Sequence, residues 1–207
     1  MKVLMINGST HEKGTTAAAL KYIADELKAQ GVDSEIICLG TAAVHSCTGC
    51  MGCQKTGKCV FDDDPVNSIG EKVKDADGYV FAAPVHYASP SGAVIALLDR
   101  LFYAYGKYMK FKPAAAVVAA RRAGTTASFD VLNKYIQINN MLQVPSTYWN
   151  NVFGANAEDT KQDLEGQTVM RAIGSNMAWL LKLLDSAKGT DLEKPVIIDK
   201  VKTNFIR

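Results

Sequence analysis

The sequence lacks a long apolar run at its start. Met1-Lys2-Val3-Leu4-Met5-Ile6-Asn7-Gly8 carries one lysine and then too few apolar residues for a signal-peptide core or a membrane span. No membrane partner is expected, and a cytoplasmic location is. A charge excess of one sign is also missing. The net charge is +2 and Lys and Arg are scattered along the chain, so nothing forms the basic stripe that would meet nucleic acid. Internal repeats, low-complexity tracts and long linkers are absent as well. So are two nucleotide fingerprints, G-x-G-x-x-G for dinucleotides and G-x-x-x-x-G-K-S/T for triphosphates.

What is present is an ordinary globular composition: 207 residues, 48% apolar and 21% charged. That is enough chain to bury a sizeable core, and a single domain over residues 1–207 is expected. Apolar runs of strand length alternate with longer stretches of helical period, the pattern of a parallel sheet with helices on both faces. The predicted strands are Lys2 to Ile6, Ser34 to Cys38, Gly78 to Ala83, Ala114 to Ala119 and Gln143 to Tyr148. They are rich in Val, Ile and Ala and hardly alternate, so both faces should be covered. The predicted helices are Thr15 to Gln30, Pro65 to Lys74, Ser91 to Tyr108, Ser128 to Met141 and Thr168 to Ala187. Asp64-Pro65 reads as a helix start, a capping carboxylate followed by a proline at the first helical position. The tail from Gly189 to Arg207 is expected to wrap over the domain.

In an open parallel sheet, ligands sit beyond the carboxyl ends of the strands, where the winding reverses. Three loops there are unusual. Asn7-Gly8-Ser9-Thr10-His11-Glu12-Lys13-Gly14-Thr15-Thr16 combines small residues with hydroxyls ahead of an alanine-rich helix. It reads as a monophosphate cradle, or as a plain turn with a Ser/Thr cap. Pro84-Val85-His86-Tyr87-Ala88-Ser89-Pro90 is a stiff segment, bracketed by prolines, that can hold amides and a ring against a flat ligand. Ala120-Arg121-Arg122-Ala123-Gly124 offers close backbone approach at the glycine and two cations, which serve a ligand or simply the surface.

Those residues, Gly8-Ser9 with Gly14-Thr15-Thr16, then Pro84-Val85-His86-Tyr87, then Ala120-Arg121-Arg122-Ala123-Gly124, resemble the flavodoxin-like NAD(P)H-dependent FMN reductase family over nearly the whole chain. The resemblance implies a doubly wound α/β fold, a five-stranded parallel sheet of order 2-1-3-4-5 in three α/β/α layers. It implies FMN, with the phosphate held by Ser9, His11, Gly14, Thr15 and Thr16. The ring would be held by Pro84, Val85, His86, Tyr87 and Ser89 and by the loop from Ala120 through Arg121 and Arg122 to Gly124. The family often has Arg where His11 stands and Asn where Thr15 stands. Homodimers or homotetramers are also implied, and the apolar stripe Leu97, Leu98, Leu101, Phe102, Tyr105, Tyr108 and Met109 is the candidate contact, unless it faces the sheet.

Of the five cysteines, four form the compact loop Cys47-x2-Cys50-x2-Cys53-x5-Cys59 at 47–59. Such a set suits a 4Fe-4S cluster, a tetrahedral zinc ion, or thiols that are free or reversibly oxidised. Zinc more often takes two separated C-x2-C pairs. Cys38, at a strand end, reads as a small buried hydrophobe. The spacing resembles the iron-sulfur flavoprotein branch of the same family, and that resemblance implies Cys47, Cys50, Cys53 and Cys59 as cluster ligands near the flavin.

The expected activity is oxidoreduction. Electrons would pass from NAD(P)H or a reduced ferredoxin to a small acceptor such as a quinone, oxygen, a nitro or azo compound, or free flavin, with no residue serving as nucleophile. A carrier module that docks redox proteins and has no substrate pocket is the rival. The near-neutral charge favours the enzyme over the acidic carriers of the short flavodoxin kind.

Overall fold

In the computed structural model, which describes residues 1–199, 201, 203 and 205, the parallel strands are β1 (Lys2–Asn7), β2 (Asp33–Cys38), β3 (Gly78–His86), β5 (Pro113–Ala120), β6 (Leu142–Gln143) and β7 (Asn151–Phe153). They run in the order β2-β1-β3-β5-β6, with β7 also pairing β5. The two-residue β4 (Ser89–Pro90) folds back antiparallel on the end of β3. The helices are α1 (Thr15–Ala29), α2 (Gly52–Thr56), α3 (Val66–Lys74), α4 (Gly92–Tyr105), α5 (Thr125–Ile138) and α6 (Leu164–Ser186).

The strands separate two cores by simple alternation. Val3, Met5, Val80, Ala82, Ala115 and Val117 meet α1 and α6, whereas Leu4, Ile6, Tyr79, Phe81, Ala114, Ala116 and Val118 meet α3, α4 and α5. Side chains two apart along a strand share a face, so burial on both faces requires the continuous apolar runs seen here. The doubly wound flavodoxin-like architecture is therefore present, but not as five unbroken strands. Among the described residues there are seven: β4 is an added antiparallel hairpin strand, and in place of the expected fifth strand, Gln143 to Tyr148, stand two short pieces, β6 and β7. Pro145 has no N–H to donate to a ladder, and the chain leaves β5 after β6 and returns only at β7. The gap is closed by a side chain: Asn150 Nδ2 donates to Ala116 O at 2.9 Å. Val118 N then donates to Asn150 O at 3.0 Å as pairing resumes.

The apolar stripe on α4 and beyond faces the sheet, the second of the two uses expected for it: Leu97, Leu98, Leu101, Tyr105 and Met109 are fully buried, and Phe102 and Tyr108 are partly buried against the same core. Two further expectations are corrected. The last helix starts four residues earlier than its apolar period suggested, because Asp163 caps it, accepting from Gly166 N at 2.9 Å. Along the tail, Leu192, Val196, Ile197, Ile198, Val201 and Phe205 are exposed and not wrapped against the domain; positions 200, 202, 204, 206 and 207 of that expectation lie outside the described residues. Among the described residues no helix is long and apolar enough to cross a membrane.

Candidate functional site

The carboxyl ends of β1, β3, β5 and β7 open on a cleft of about 600 Å³, within the range of small-molecule sites. The turn that leads from β1 to this cleft begins at Gly8, whose N–H donates to Ala82 O at 2.8 Å. A Cβ there would stand 2.7 Å from Val94 Cβ, so only glycine lets the loop leave β1 this close to α4. Ser91 Oγ, donating to Gly8 O at 2.7 Å, fixes the same turn. Ser9 N then donates to Asn7 Oδ1, and Ser9 Oγ accepts from His11 N at 3.0 Å. The loop thus curls back on itself before α1 starts. Gly14 precedes the first turn with no side-chain cap, and no acidic residue stands in that turn. The N–H groups ahead of Ala18, whose own N–H bonds Gly14 O, are presented with the positive end of the helix dipole to whatever occupies the cleft.

Of the residues singled out from sequence, Ser9, His11, Gly14, Thr15, Thr16, Pro84, Val85, Ala120 and Arg121 line this cleft together. Thr16 is buried, while His11 and Arg121 are exposed at the rim. His86, Tyr87, Ser89, Arg122 and Gly124 do not line it. His86, Tyr87 and Ser89 form a ridge at the end of β3, next to the lining residue Val85, and Gly124 packs against it, while Arg122 is exposed. Tyr87 (φ 51°) and Ala88 (φ 58°) make a two-residue hairpin between His86 and Ser89. That left-handed pair favours Asn-Gly, and it costs on the order of 1–2 kcal/mol per side-chain-bearing residue. Strain of this kind is held at ligand clamps more often than elsewhere. Here Gly124 (φ 87°) holds it down: a Cβ at that position would lie 2.8 Å from both Ala88 Cα and Val85 Cγ1.

Sequence reasoning missed part of the lining. Glu12 and Lys13 belong to a loop already noted and Ala119 to the end of β5, but Gly154, Ala155 and Asn156 follow the end of β7. Thr15 Oγ1 donates to Gly154 O at 3.1 Å and ties the two loops together. The run of small residues after Val152-Phe153 was the available signal, hidden by ending the last strand at Tyr148.

The cysteine loop lies apart, over α4. Cys47, Cys50, Cys53 and Cys59 line one small hollow with Phe61, Arg100 and Tyr103. All are free thiols, and Cys50 is the most exposed. Cys38 is elsewhere, beside Asn7 Nδ2 and Ser9 O. A zinc ion bound at about 2.3 Å would need its sulfurs roughly 3.8 Å apart. Among the described residues, the only potential ligand group gathered within 4.8 Å is His45, Asp63 and Asp64, not any three of the cysteines. The donor set fits the larger cuboidal cluster better. The hollow between the thiols is small, about 20 Å³; Gly49 and Gly57, both with positive φ and open surroundings, let the outer turns of the loop make room while Arg100 keeps its hold on Cys59.

Arg100 was not singled out, although a cation in the apolar run Leu97-Leu98-Asp99-Arg100-Leu101 was a visible signal. It is 1% exposed. Its Nε donates to Cys59 Sγ at 3.1 Å, Nη1 to His45 O at 3.1 Å and to the Asp64 carboxylate, and Nη2 to Phe61 O at 3.0 Å. Asp64 does cap α3, accepting from Val66 N at 3.2 Å, but its principal partner is this guanidinium. Burial pushes the Asp64 carboxyl up; Arg100 and the N–H groups of His45 and Val66 outweigh it and hold the group below its ordinary value. Hydrogen bonds from Gly52 N–H and the Thr48 side chain lower the Cys50 thiol, whereas burial raises Cys53.

The profile of a family described as NADPH-dependent FMN reductase matches residues 1–155. An iron-sulfur flavoprotein of Methanocaldococcus jannaschii is 29% identical over 192 residues, covering 89% of this chain and 99% of that protein. An iron-sulfur flavoprotein of Archaeoglobus fulgidus is 38% identical over 100 residues, 48% of either chain. Among solved structures, RosB with bound 8-demethyl-8-formylriboflavin-5'-phosphate superposes with a TM-score of 0.72 at 15% identity, covering 100% of this chain and 92% of its own.

Proposed function

This chain belongs to the NADPH-dependent FMN reductase family, and from that premise we propose that it is an FMN-dependent oxidoreductase carrying electrons from NAD(P)H or a reduced ferredoxin to a small acceptor. The observation that carries the reading is the cleft itself. An uncapped helix start, the hydroxyls of Ser9, Thr15 and Thr16, and the loops after β3 and β5 converge on a volume of about 600 Å³. The free N–H groups of the first turn of α1 and the Ser9 and Thr16 hydroxyls would hold the phosphate, and Thr15, whose hydroxyl donates to Gly154 O, would fix the loop around it. His11 and Lys13, both exposed at the rim, would add positive charge. Pro84 and Val85 would pack on the ring, and the backbone at Ala120 and Arg121 would bond its polar edge. The ridge at Tyr87 and Ala88, fastened at Gly124, would hold His86 beside the ring and restrict water from one side.

Cys47, Cys50, Cys53 and Cys59 would hold a 4Fe-4S cluster, a reading supported by the four thiols lining one hollow and by the names of the related iron-sulfur flavoproteins. When bound, FMN supplies a two-electron acceptor that can release electrons singly, and a cluster supplies a one-electron station. The acceptor class is a quinone, oxygen, a nitro or azo compound, or free flavin.

Anaerobic purification followed by an absorption spectrum, iron and sulfide assays, and steady-state turnover with NADH and NADPH tests this. Bound flavin, about four iron and four sulfide per chain, and flavin bleaching by one nucleotide are expected. A colourless protein that refuses added FMN removes the assignment. Flavin that neither nucleotide bleaches leaves a carrier of electrons between proteins.

A further inference from the structure

One side chain behind the cysteine loop has a geometry that the FMN chemistry does not use. Arg100 projects from the middle of α4 into the base of the loop, out of water, and every nitrogen of its guanidinium donates to a named partner. Two of those partners are carbonyls on either side of the cysteines, His45 before Cys47 and Phe61 after Cys59. A third is Cys59 Sγ itself. The Asp64 carboxylate faces the same guanidinium, with both side chains 1% exposed. The Phe61 ring covers it, 5.3 Å from the guanidinium carbon to the ring centroid. One planar fork therefore closes both ends of the loop and touches one of its sulfurs. An ammonium group cannot do this, because it lacks the fixed fan of donors.

We propose that Arg100 is a positioning residue for the cluster, clasping the loop so that Cys59 is held in place and raising the reduction potential through its N–H donation to the Cys59 sulfur. The inference rests on the reading of Cys47, Cys50, Cys53 and Cys59 as cluster ligands. The physical basis is that a donor to a ligating sulfur draws electron density from it and favours the reduced, more negative state of the centre. Asp64 opposes this. Its charge beside the guanidinium cancels part of the positive field that reaches the sulfur, so the pair tunes the potential in opposite directions. Arg100 is absent from the lining of the FMN cleft, so the flavin couple provides an internal reference.

The test is a potentiometric titration, followed by EPR and absorption, of the holoprotein and of two variants, with iron counted per chain. Arg100→Lys keeps the charge but cannot reach Cys59 and both carbonyls together; it should lower the cluster midpoint and release iron faster to a chelator. Asp64→Asn keeps the N–H to sulfur contact and removes the opposing charge; it should raise the midpoint. The flavin midpoint should move much less in both. Shifts of opposite sign are not expected from general loosening of the fold. Unchanged cluster midpoints in iron-loaded variants, or shifts of the same sign in both, overturn the proposal and leave the cluster assignment standing. A wild-type chain that retains FMN but never holds iron overturns both.

Discussion

Replacing Thr16 with valine exchanges a hydroxyl for a methyl of nearly the same size, in the first turn of α1 on the wall of the cleft. Thr16 is 2% exposed, so a phosphate seated there meets its hydroxyl with little water to substitute for a lost bond. A hydrogen bond to a charged group contributes about 1.5–3 kcal/mol. With tenfold in affinity for each 1.4 kcal/mol, Thr16→Val should weaken FMN binding by roughly 10- to 150-fold. The apoprotein should melt where the wild type does, because Thr and Val have similar helix propensities. Thr15→Val is the contrast. Its hydroxyl donates to Gly154 O, so that substitution should destabilise the apoprotein by about 1 kcal/mol. Quenching of FMN fluorescence by apoprotein gives the dissociation constants, and thermal unfolding gives the stabilities. If Thr16→Val binds FMN within twofold of wild type, the phosphate does not sit at the start of α1.

Gly124→Ala forces a side chain into a left-handed position and against Ala88 and Val85. It should cost about 1–3 kcal/mol, lower the melting temperature by several degrees and weaken flavin binding; an unchanged melting curve would show that the ridge is not fastened there. The Asp64 carboxyl is lowered in the folded chain, so its contribution is complete above the ordinary carboxylate value of about 3.9 and is lost as pH falls through the folded value. Hydrogen exchange in the 45–64 segment should therefore show protection that is level near neutrality and lost in acid; loss on going from pH 6 to 9 contradicts the sign. In metal-free protein, hydrogen bonding lowers the Cys50 thiol and burial raises Cys53, so iodoacetamide at pH 8 should alkylate Cys50 first. Mass mapping that finds Cys53 modified first refutes that order.

The sheet was legible because burial on both faces leaves a strong mark in the letters. Leu4 and Ile6 face one core while Val3 and Met5 face the other, and such a strand can only be written as an unbroken apolar run. What failed was legible only in three dimensions. Asn150 stands in for a missing strand residue by donating to Ala116 O, and a polar side chain in a loop gives no sign that its role is to complete a ladder. The same error hid Gly154 to Asn156 from the cleft. The α4 stripe shows the converse: apolar period reveals a buried face but not what buries it, and here it is the sheet.

Arg100 and Asp64 carry the larger lesson about reading sites. Asp64 before Pro65 has the form of a helix cap, and it does cap α3, so local chemistry alone accounts for its presence. Its stronger partner lies 36 residues away on another helix. Isolating either charge out of water would be costly, and a buried pair of this kind does not by itself make a fold more stable than apolar packing would. The geometry suggests another use for the arrangement. The guanidinium fits two carbonyls, a carboxylate and a sulfur at once, and three of those four belong to the segment that carries the cysteines. A chain that needed only a core at this point could have continued the leucines of α4; one that must hold four thiols in a glycine-loosened loop needs a donor at its base.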